Sequence, residues 1–292
     1  MAKIGIIGGS GLYQIDGIGN LQELAIQTPF GPPSDIVTVG ELEGHEVAFL
    51  PRHGRGHRLL PTEVNYRANI YALKTLGVDS IISVSAIGSL RADYQPTDVV
   101  VIDNFFDRSV QRPLTFFGNG IVAHAAFAHP LCDRLRQALI AGGEQAGAVV
   151  HKKGTYLCME GPQFSTLAES QTYRRWGMDV IGMTQMSEAR LAREAEICYA
   201  TLAMVTDFDC WHEAETGETV SVQMVLQYLE KNTQTAKEII RRALPEIAAA
   251  DDCRCRHALA GAILTDRTLW PEKTVNQLEP ILKPYLKNEN GL

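Results

Sequence analysis

An almost entirely apolar run at 197–205 places the strongest constraint on how this chain can fold. Such a run predicts a strand that is buried on both faces, as in parallel sheets. Asp207 and Asp209 follow it two positions apart, so an extended chain directs both side chains to the same side. Because ligands in open α/β sheets bind beyond the carboxyl ends of the strands, we expect a site at this pair. The spacing alone leaves open an Asx-turn with solvated carboxylates.

Strand-like and helix-like segments alternate along the whole chain, and no long internal repeat recurs. This order predicts one α/β domain with a largely parallel or mixed central β-sheet. We expect residues 1–250 to form the domain and residues 251–292 to form a C-terminal helical extension packed on it, since no obvious linker separates them. The composition, 45% hydrophobic and 21% charged, is that of a soluble globular protein.

The charge balance restricts the class of partner. A net charge of −7 argues against nucleic acid or an anionic membrane, since no basic block offsets it. No apolar run approaches the roughly 20 residues that a membrane helix needs, and the first residues carry too short an apolar run for a signal peptide. We therefore expect a cytoplasmic protein.

The six cysteines fit a reducing compartment in the main. Four of them are scattered through apolar or site-like segments and are expected to be thiols: Cys132, Cys158, Cys198 and Cys210. Cys253 and Cys255 are separated by one residue, which leaves open a small strained disulfide or two free thiols. Because no second cysteine pair stands at zinc spacing, the sequence predicts no metal site.

Two loops that follow predicted strands suit an anion. Residues 8–11 hold three glycines around Ser10, so backbone N–H groups can approach an anion closely while the hydroxyl adds a donor. The alternative is a simple tight turn. Residues 51–58 are rich in Arg and His, and the guanidinium of Arg52 is suited to bidentate phosphate binding. The alternative there is a solvated basic loop.

Local signals predict several boundaries between elements. Thr62 is predicted as the N-cap of a helix, and Thr166 forms a capping box with the Glu three residues later. Residues 80–84 are predicted as a strand that ends in a hydroxyl-rich loop at 85–89. The aromatic segment 103–129 is predicted as a loop, and its length suggests a functional region or an interface.

Taken together, the strand-end motifs resemble the purine nucleoside phosphorylase family, in particular its members that act on 5′-methylthioadenosine. Each motif is weak alone, but their combination and order, from near the N-terminus to about residue 245, are specific. The resemblance is carried by Gly8-Gly9-Ser10-Gly11-Leu12, Arg52-His53-Gly54-Arg55, residues 64–69, Gly88-Ser89-Leu90, Glu160-Gly161-Pro162, Ile181-Gly182-Met183-Thr184 and residues 203–211. One departure is Gly182, where relatives often have Asn, so any contact of that side chain is missing here.

The resemblance implies a single-domain fold with a central mixed β-sheet flanked by helices, a homotrimer, and no cofactor, with inorganic phosphate as a co-substrate. It implies phosphate binding by Ser10, Arg52, His53, Ser85, Ala86 and Thr184. It implies a purine pocket formed by Ile87, Gly88, Phe164 and Ser165, with Asp207 and Asp209 as the catalytic pair. Met183 would lie against the ribose, His57, Val222 and Val225 near the 5′-methylthio group, and His124 in the site of a neighbouring subunit.

The implied reaction converts 5′-methylthioadenosine and phosphate into adenine and 5-methylthioribose 1-phosphate, in methionine and purine salvage. Adenine presents an N6 donor and an N7 acceptor on one edge, whereas an ionised carboxylate only accepts. One aspartate must therefore be protonated, and two neighbouring carboxylates in a water-poor pocket raise one pKa. By resemblance, Asp207 serves N7 and Asp209 serves N6.

Three other functions compete with this one. A 6-oxopurine or methylthioinosine phosphorylase is the alternative within the family, although Asn at an aspartate position would favour it and none is there. A hydrolase would need no phosphate pocket, so Arg52 and Ser10 count against it. A non-catalytic nucleoside-binding protein would bind adenine tightly with no dependence on phosphate.

Overall fold

The fold is built around the strand that the apolar run forms, β11 (Cys198–Phe208). The computed structural model describes residues 4–9, 12, 17–217, 222–249 and 253–286. Every residue of β11 from Cys198 to Thr206 is buried, which confirms the predicted strand. Two buried faces leave no room for polar side chains without partners, which explains why the run is almost entirely apolar.

The other elements alternate along the chain as the pattern predicted. The remaining strands are β1 (Ile4–Gly8), β2 (Gly19–Leu24), β3 (Val37–Leu42), β4 (His45–Pro51), β5 (Ser80–Ser89), β6 (Val99–Val101), β7 (Asn104–Asp107), β8 (Val150–His151), β9 (Thr155–Cys158) and β10 (Val180–Gly182). The helices are α1 (Tyr66–Thr75), α2 (Asp133–Gln145), α3 (Leu167–Arg175), α4 (Gln185–Glu194), α5 (Trp211–Thr216), α6 (Val222–Ala249), α7 (Glu272–Gln277) and α8 (Glu279–Leu286). Short 3₁₀ turns at Arg254–His257 and Arg267–Leu269 lie between α6 and α7.

The strands of the described chain form one mixed sheet of eleven, and β5 is its branch point. Along one edge, β5 pairs in parallel with the whole of β11. Along the other edge, residues 80–83 pair in parallel with β1, whereas residues 88–89 pair antiparallel with β10. In the described chain, no strand pairs with this edge between those two stretches, so the sheet opens at residues 84–87.

Helices cover both faces of this sheet, as expected for the predicted α/β class. One buried cluster joins the sheet to α1, α4 and α8 through side chains such as Leu73, Leu191 and Ile281. A second cluster joins the opposite face to α2 and α6, for example through Leu139 and Ile240. Each cluster buries side chains from distant parts of the chain, so the central mixed sheet flanked by helices forms a single domain.

The C-terminal segment contributes to the same core as the rest of the chain. Leu259, Leu278, Ile281 and Leu282 are buried in the cluster that also contains α1 and α4. The segment lies beyond the predicted boundary at residue 250, and its apolar side chains pack against the domain. The C-terminal segment lies next to α1, because its helix α8 contacts α1.

Two local predictions were wrong, a third was wrong in part and one was confirmed. The segment 103–129, predicted as a loop, begins with the strand β7, which pairs in parallel with β9. The helix predicted to begin at Thr62 begins later, at α1, because Asn65 is its N-cap and accepts a hydrogen bond from the N–H of Ala68. Residues 85–89 are not a loop but the last part of β5, since β11 pairs with them throughout. The predicted capping box is present, with the hydroxyl of Thr166 and the carboxylate of Glu169 bonded reciprocally to backbone N–H groups.

Within the described part of the chain, no helix has both the length and the apolar character that crossing a bilayer requires.

Candidate active site

A cavity of about 590 Å³ lies where β5 separates from β1. The end of β11 and the turns that follow β1, β4 and β10 surround it. Most of the predicted site residues line it, namely Arg52, His53, His57, Ser85, Ala86, Ile87, Gly88, Phe164, Met183, Thr184, Asp207 and Asp209. The branching of the sheet creates this space, because the edge of β5 that faces it has no strand partner at residues 84–87.

Asp207 stands at an irregularity in the pairing of β11. The register with β5 shifts between Val205 and Asp207, so Thr206 is an extra residue in the ladder. The hydroxyl of Thr206 lies 2.6 Å from Oδ1 of Asp207 and can donate to it. Burial raises the pKa of Asp207 to about 7; the bond from Thr206 opposes the increase and the charge of Asp209 adds to it. The sequence argument gave the neighbouring carboxylate as a main cause, whereas burial is the larger one.

Asp209 lies in the turn that follows β11 and also lines the cavity. Its backbone N–H and the indole Nε1 of Trp211 both donate to the carbonyl of Ser89, at 2.9 and 2.8 Å, which fixes the turn after β11. Burial also raises the pKa of Asp209, with the Ser170 and Ser165 hydroxyls opposing the increase. Its Oδ2 atom is buried and has no hydrogen-bond partner. Asp209 itself lines the cavity, and an ionised carboxylate accepts hydrogen bonds from a ligand there.

Gly88 allows the two carboxylates to come close to β5. A Cβ atom at this position would lie 3.2 Å from Oδ2 of Asp207 and 3.1 Å from a methyl group of Ile181. Any side chain there would therefore displace the carboxylate or fill the space beside it. The glycine keeps this end of the cavity open.

Arg52 is a buried ion-pair member rather than an unpaired cation. Its Nε and Nη2 atoms donate to the two carboxylate oxygens of Glu188, at 2.5 and 3.2 Å. Its Nη1 and Nη2 atoms also donate to the carbonyl of Val84 and the hydroxyl of Ser83, at 3.0 and 2.6 Å. The pairing with Glu188 balances its charge, which the sequence argument for an exposed phosphate-binding guanidinium did not include. One remaining N–H of Nη1 is left for a ligand.

His53 presents a neutral ring to the same end of the cavity. Its Nδ1 lies 2.9 Å from the carbonyl of Leu59, so this nitrogen carries the proton. Burial, followed by the charge of Arg52, lowers the pKa of His53 to about 4. The ring stacks on His57 with centroids 4.4 Å apart. The imidazole is therefore a polar, uncharged group at neutral pH.

The other predicted site residues differ in position. Ser165 does not line the cavity but lies behind Asp209, where its carbonyl accepts a bond from the Cys210 thiol at 3.3 Å. His124 is exposed and lies away from the cavity of its own chain. Ser10 lies outside the described residues, as do the side chains of Val222 and Val225.

Several residues of the site were missed from the sequence. Glu188 was one of many helical acids, and only its long-range pairing with Arg52 distinguishes it. Arg112, from the segment predicted to be a loop, donates to the carbonyls of Met183 and Glu160 and so supports the cavity wall. Asn232 on α6 lines the cavity and donates to the carbonyl of Val205 at 2.8 Å, and its Oδ1 atom is buried without a partner.

The departure at Gly182 has a structural explanation. A Cβ atom there would lie 2.0 Å from the hydroxyl of Tyr156, so this tyrosine occupies the space of a side chain. The hydroxyl donates to Oε1 of Gln185 at 2.5 Å, and Thr184 donates to the same oxygen at 3.0 Å. The tyrosine therefore requires glycine at position 182 and helps to hold the turn that carries Thr184.

The fold and this cavity agree with the family assignment from sequence comparison. The family described as the phosphorylase superfamily matches residues 3–245, which is most of the chain. The chain therefore belongs to the phosphorylase superfamily.

The relatives within this superfamily are more specific. The S-methyl-5′-thioadenosine phosphorylase of Koribacter versatilis is 52% identical over 290 residues, covering 99% of each chain. A crystal structure of a methylthioadenosine phosphorylase from an antarctic soil metagenomic library is 50% identical, with a TM-score of 0.91 over 96% of this chain and 99% of that one. A mutant of the adenosine/methylthioadenosine phosphorylase of Schistosoma mansoni, solved with methylthioadenosine, is 37% identical with a TM-score of 0.81 over 89% and 96% of the chains.

Proposed function

We propose that this chain is a pentosyltransferase that cleaves 5′-methylthioadenosine with phosphate, forming adenine and 5-methylthioribose 1-phosphate. The observation that carries the proposal is the pair of carboxylates in the cavity. Both residues line the cavity: Asp207, with a pKa raised to about 7, can supply a proton, and the carboxylate of Asp209 can accept a hydrogen bond. An S-methyl-5′-thioadenosine phosphorylase that is 52% identical and aligns over 99% of both chains supports the same reaction.

The two carboxylates match the edge of adenine. In its protonated form, Asp207 donates to N7, and the carboxylate of Asp209 accepts from the N6 amino group. As the C1′–N9 bond breaks, its electron pair moves into the purine, and the proton from Asp207 neutralises the charge at N7. A 6-oxopurine would place an acceptor against the Asp209 oxygen, which disfavours the alternative phosphorylase.

The phosphate is proposed to lie at the opposite end of the cavity, below the sugar. Four of the residues proposed to bind it line the cavity, namely His53, Ser85, Ala86 and Thr184, and residues 85 and 86 lie on the unpaired edge of β5. Arg52 contributes the free N–H of Nη1 while its pairing with Glu188 fixes the direction of that group. A phosphate oxygen bonds to C1′ as the purine leaves, so holding both reactants in line supplies part of the rate.

Product analysis with and without phosphate tests the proposal. We expect adenine release from 5′-methylthioadenosine only when phosphate is present, with one sugar phosphate formed per adenine, and little cleavage of inosine. Phosphate-independent release of adenine would indicate a hydrolase. Tight binding of adenine without any turnover would indicate a non-catalytic binding protein.

Adenine affinity is expected to fall as the pH rises through about 7, because only the protonated Asp207 donates to N7. The raised pKa means that the proton is present below pH 7 and is lost above it, so the dissociation constant should rise about tenfold between pH 6 and pH 8. Isothermal titration without phosphate measures this change. With 7-deazaadenine, which lacks the N7 acceptor, the affinity should be weaker and nearly independent of pH. An equal pH dependence for both bases would contradict the role of Asp207.

We also propose that the enzyme is a homotrimer that acts in methionine and purine salvage in the cytoplasm, with no cofactor. The surface near His124 supports a subunit interface, because Val122 and Leu264 are exposed and lie side by side, joined by a backbone bond of 2.8 Å. Contiguous exposed apolar side chains of this kind commonly mark interaction surfaces. The exposed His124 beside them is in a position to reach the site of a neighbouring subunit.

His124→Ala is expected to weaken nucleoside binding more than adenine binding, because the imidazole would contact the sugar end of the neighbouring site. His129→Ala is the control, since His129 is exposed in the same segment and no site role is proposed for it. Specific activity should also fall when the enzyme is diluted below its assembly constant. If the protein sediments as a monomer and that monomer is fully active, the shared site is ruled out.

A further inference from the structure

Four cysteine side chains meet at the end of the sheet opposite the catalytic pair. Cys132 precedes α2, Cys198 is the first residue of β11, and Cys253 and Cys255 begin the C-terminal segment. Their Sγ atoms all lie within 4.8 Å of one another, and those of Cys132 and Cys253 are 3.6 Å apart. The sequence argument excluded a four-thiolate site because no second pair stood at zinc spacing. That premise fails, since the ligands come from three separate segments.

The spacing of the four sulfur atoms is close to that of a tetrahedral tetrathiolate centre. A Zn–S bond is about 2.3 Å, so the sulfurs of a tetrahedral site lie about 3.8 Å apart. Since no two of the four Sγ atoms are more than 4.8 Å apart, side-chain shifts of about an ångström bring them to this geometry. Soft thiolate ligands in a closed tetrahedral set select zinc over hard cations such as Mg²⁺ or Ca²⁺.

The surroundings suit a buried, negatively charged centre. Cys132, Cys198 and Cys255 are 2%, 0% and 3% exposed, so the site is closed to solvent on most sides. The guanidinium of Arg134 lies beside the cluster, and its Nε is buried without a hydrogen-bond partner. A zinc ion with four thiolates carries two negative charges, which this cation partly offsets. Closed sites without an open coordination position are structural rather than catalytic.

We propose that Cys132, Cys198, Cys253 and Cys255 bind one Zn²⁺ ion per chain as a structural site. Binding replaces four S–H protons with four S–Zn bonds and releases the protons to solvent, so no oxidant or reductant takes part. The ion joins the start of α2, the start of β11 and the C-terminal segment. Cys198 lies nine residues before Asp207 in an extended strand, about 30 Å away, so the metal does not touch the reacting atoms.

The site would hold in place the segment that follows α6. This helix lines the cavity through Asn232, and the chain after it enters the core next to α1. Fixing Cys253 and Cys255 to β11 therefore restrains the C-terminal end of α6. Loss of the ion should lower the melting temperature of the protein, whereas kcat should change little.

Metal content and thiol content of the full-length protein test the proposal together. We expect about one zinc per chain, by mass spectrometry, in protein purified from zinc-supplemented cells without chelators. All six cysteines should then react with Ellman's reagent after denaturation in chelator without a reductant. A zinc content below a tenth of an equivalent per chain would overturn the proposal. It would also be overturned if two or four of the thiols react only after a reductant is added. The second outcome would identify disulfides.

Cys255→Ser and Cys253→Ser should each reduce bound zinc at least tenfold after dialysis against a weak chelator. Cys158→Ala is the matched control, because Cys158 is equally buried but lies outside the cluster. Substitution of Co²⁺ should produce the intense visible bands of tetrahedral thiolate coordination in the wild type and in the control. Variants of Cys253 and Cys255 that fold, as judged by circular dichroism, and retain full zinc would overturn the assignment. If they do not fold, the wild-type zinc stoichiometry and cobalt spectrum decide it.

Discussion

Replacing Asp207 with Asn is expected to lower kcat for 5′-methylthioadenosine by about 10²–10⁴-fold, the contribution typical of a general acid. The amide preserves the shape of the carboxyl group but cannot transfer a proton to N7. Adenine binding should change less, because the amide N–H₂ can still donate to N7. Steady-state rates at saturating nucleoside and phosphate measure the effect.

The leaving group provides the control for this variant. A 7-methylated purine nucleoside already carries a positive charge on its base and needs no proton from the enzyme as the base leaves. Asp207→Asn should therefore lose much less activity on this substrate than on 5′-methylthioadenosine. Equal losses on both substrates would show that Asp207 positions the purine without acting as an acid.

Glu188→Gln is expected to lower the free energy of unfolding by about 3–5 kcal/mol, because it leaves the charge of Arg52 buried without a partner. Both side chains are almost fully buried, with 2% and 0% of their surfaces exposed. Glu188 also accepts hydrogen bonds from Ser83 and Tyr199, at 2.7 and 2.8 Å, so the variant also weakens this network. Urea unfolding at one fixed protein concentration measures the change, since an oligomer's stability depends on concentration.

Two further variants distinguish a buried ion pair from a general loss of charge. Glu238→Gln removes half of an exposed pair with Arg242 and should change stability by less than about 0.5 kcal/mol. The double variant Arg52→Met/Glu188→Gln should be more stable than Glu188→Gln alone, because it removes the unpaired charge. If the double variant is less stable than Glu188→Gln, the pair does not act through charge compensation.

The interpretation of Arg52 changes with this network. From the sequence, the guanidinium of Arg52 was expected to bind phosphate as one member of a larger site, and no partner for its charge within the chain was predicted. In the structure, Glu188 fixes and neutralises it, so Arg52→Ala would disturb the fold as well as the phosphate site. A rise in the KM for phosphate in Arg52→Ala is therefore weaker evidence for direct phosphate binding than the same rise in KM in Thr184→Ala.

The sequence by itself determined the class of the fold and the location of the proposed catalytic pair. The run at 197–205 predicted a buried strand with Asp207 and Asp209 at its carboxyl end, and the structure confirms this strand. Strand-end motifs in the expected order then identified the family, which the comparison with the phosphorylase superfamily confirms. These features depend on residues close together in the chain, so periodicity and spacing are sufficient to detect them.

Only the tertiary structure decided which side chains act together. Arg52 and Glu188 are 136 positions apart, and the cysteines of the proposed zinc site come from three segments. The branching of β5 was equally hidden, because residues 85–89 have the small, hydroxyl-rich composition of a loop. The raised pKa of Asp207 depends on burial by the surrounding cavity more than on its neighbour in sequence. Each of these properties is set by distant parts of the chain that only the folded sheet brings into contact, so no local pattern encodes it.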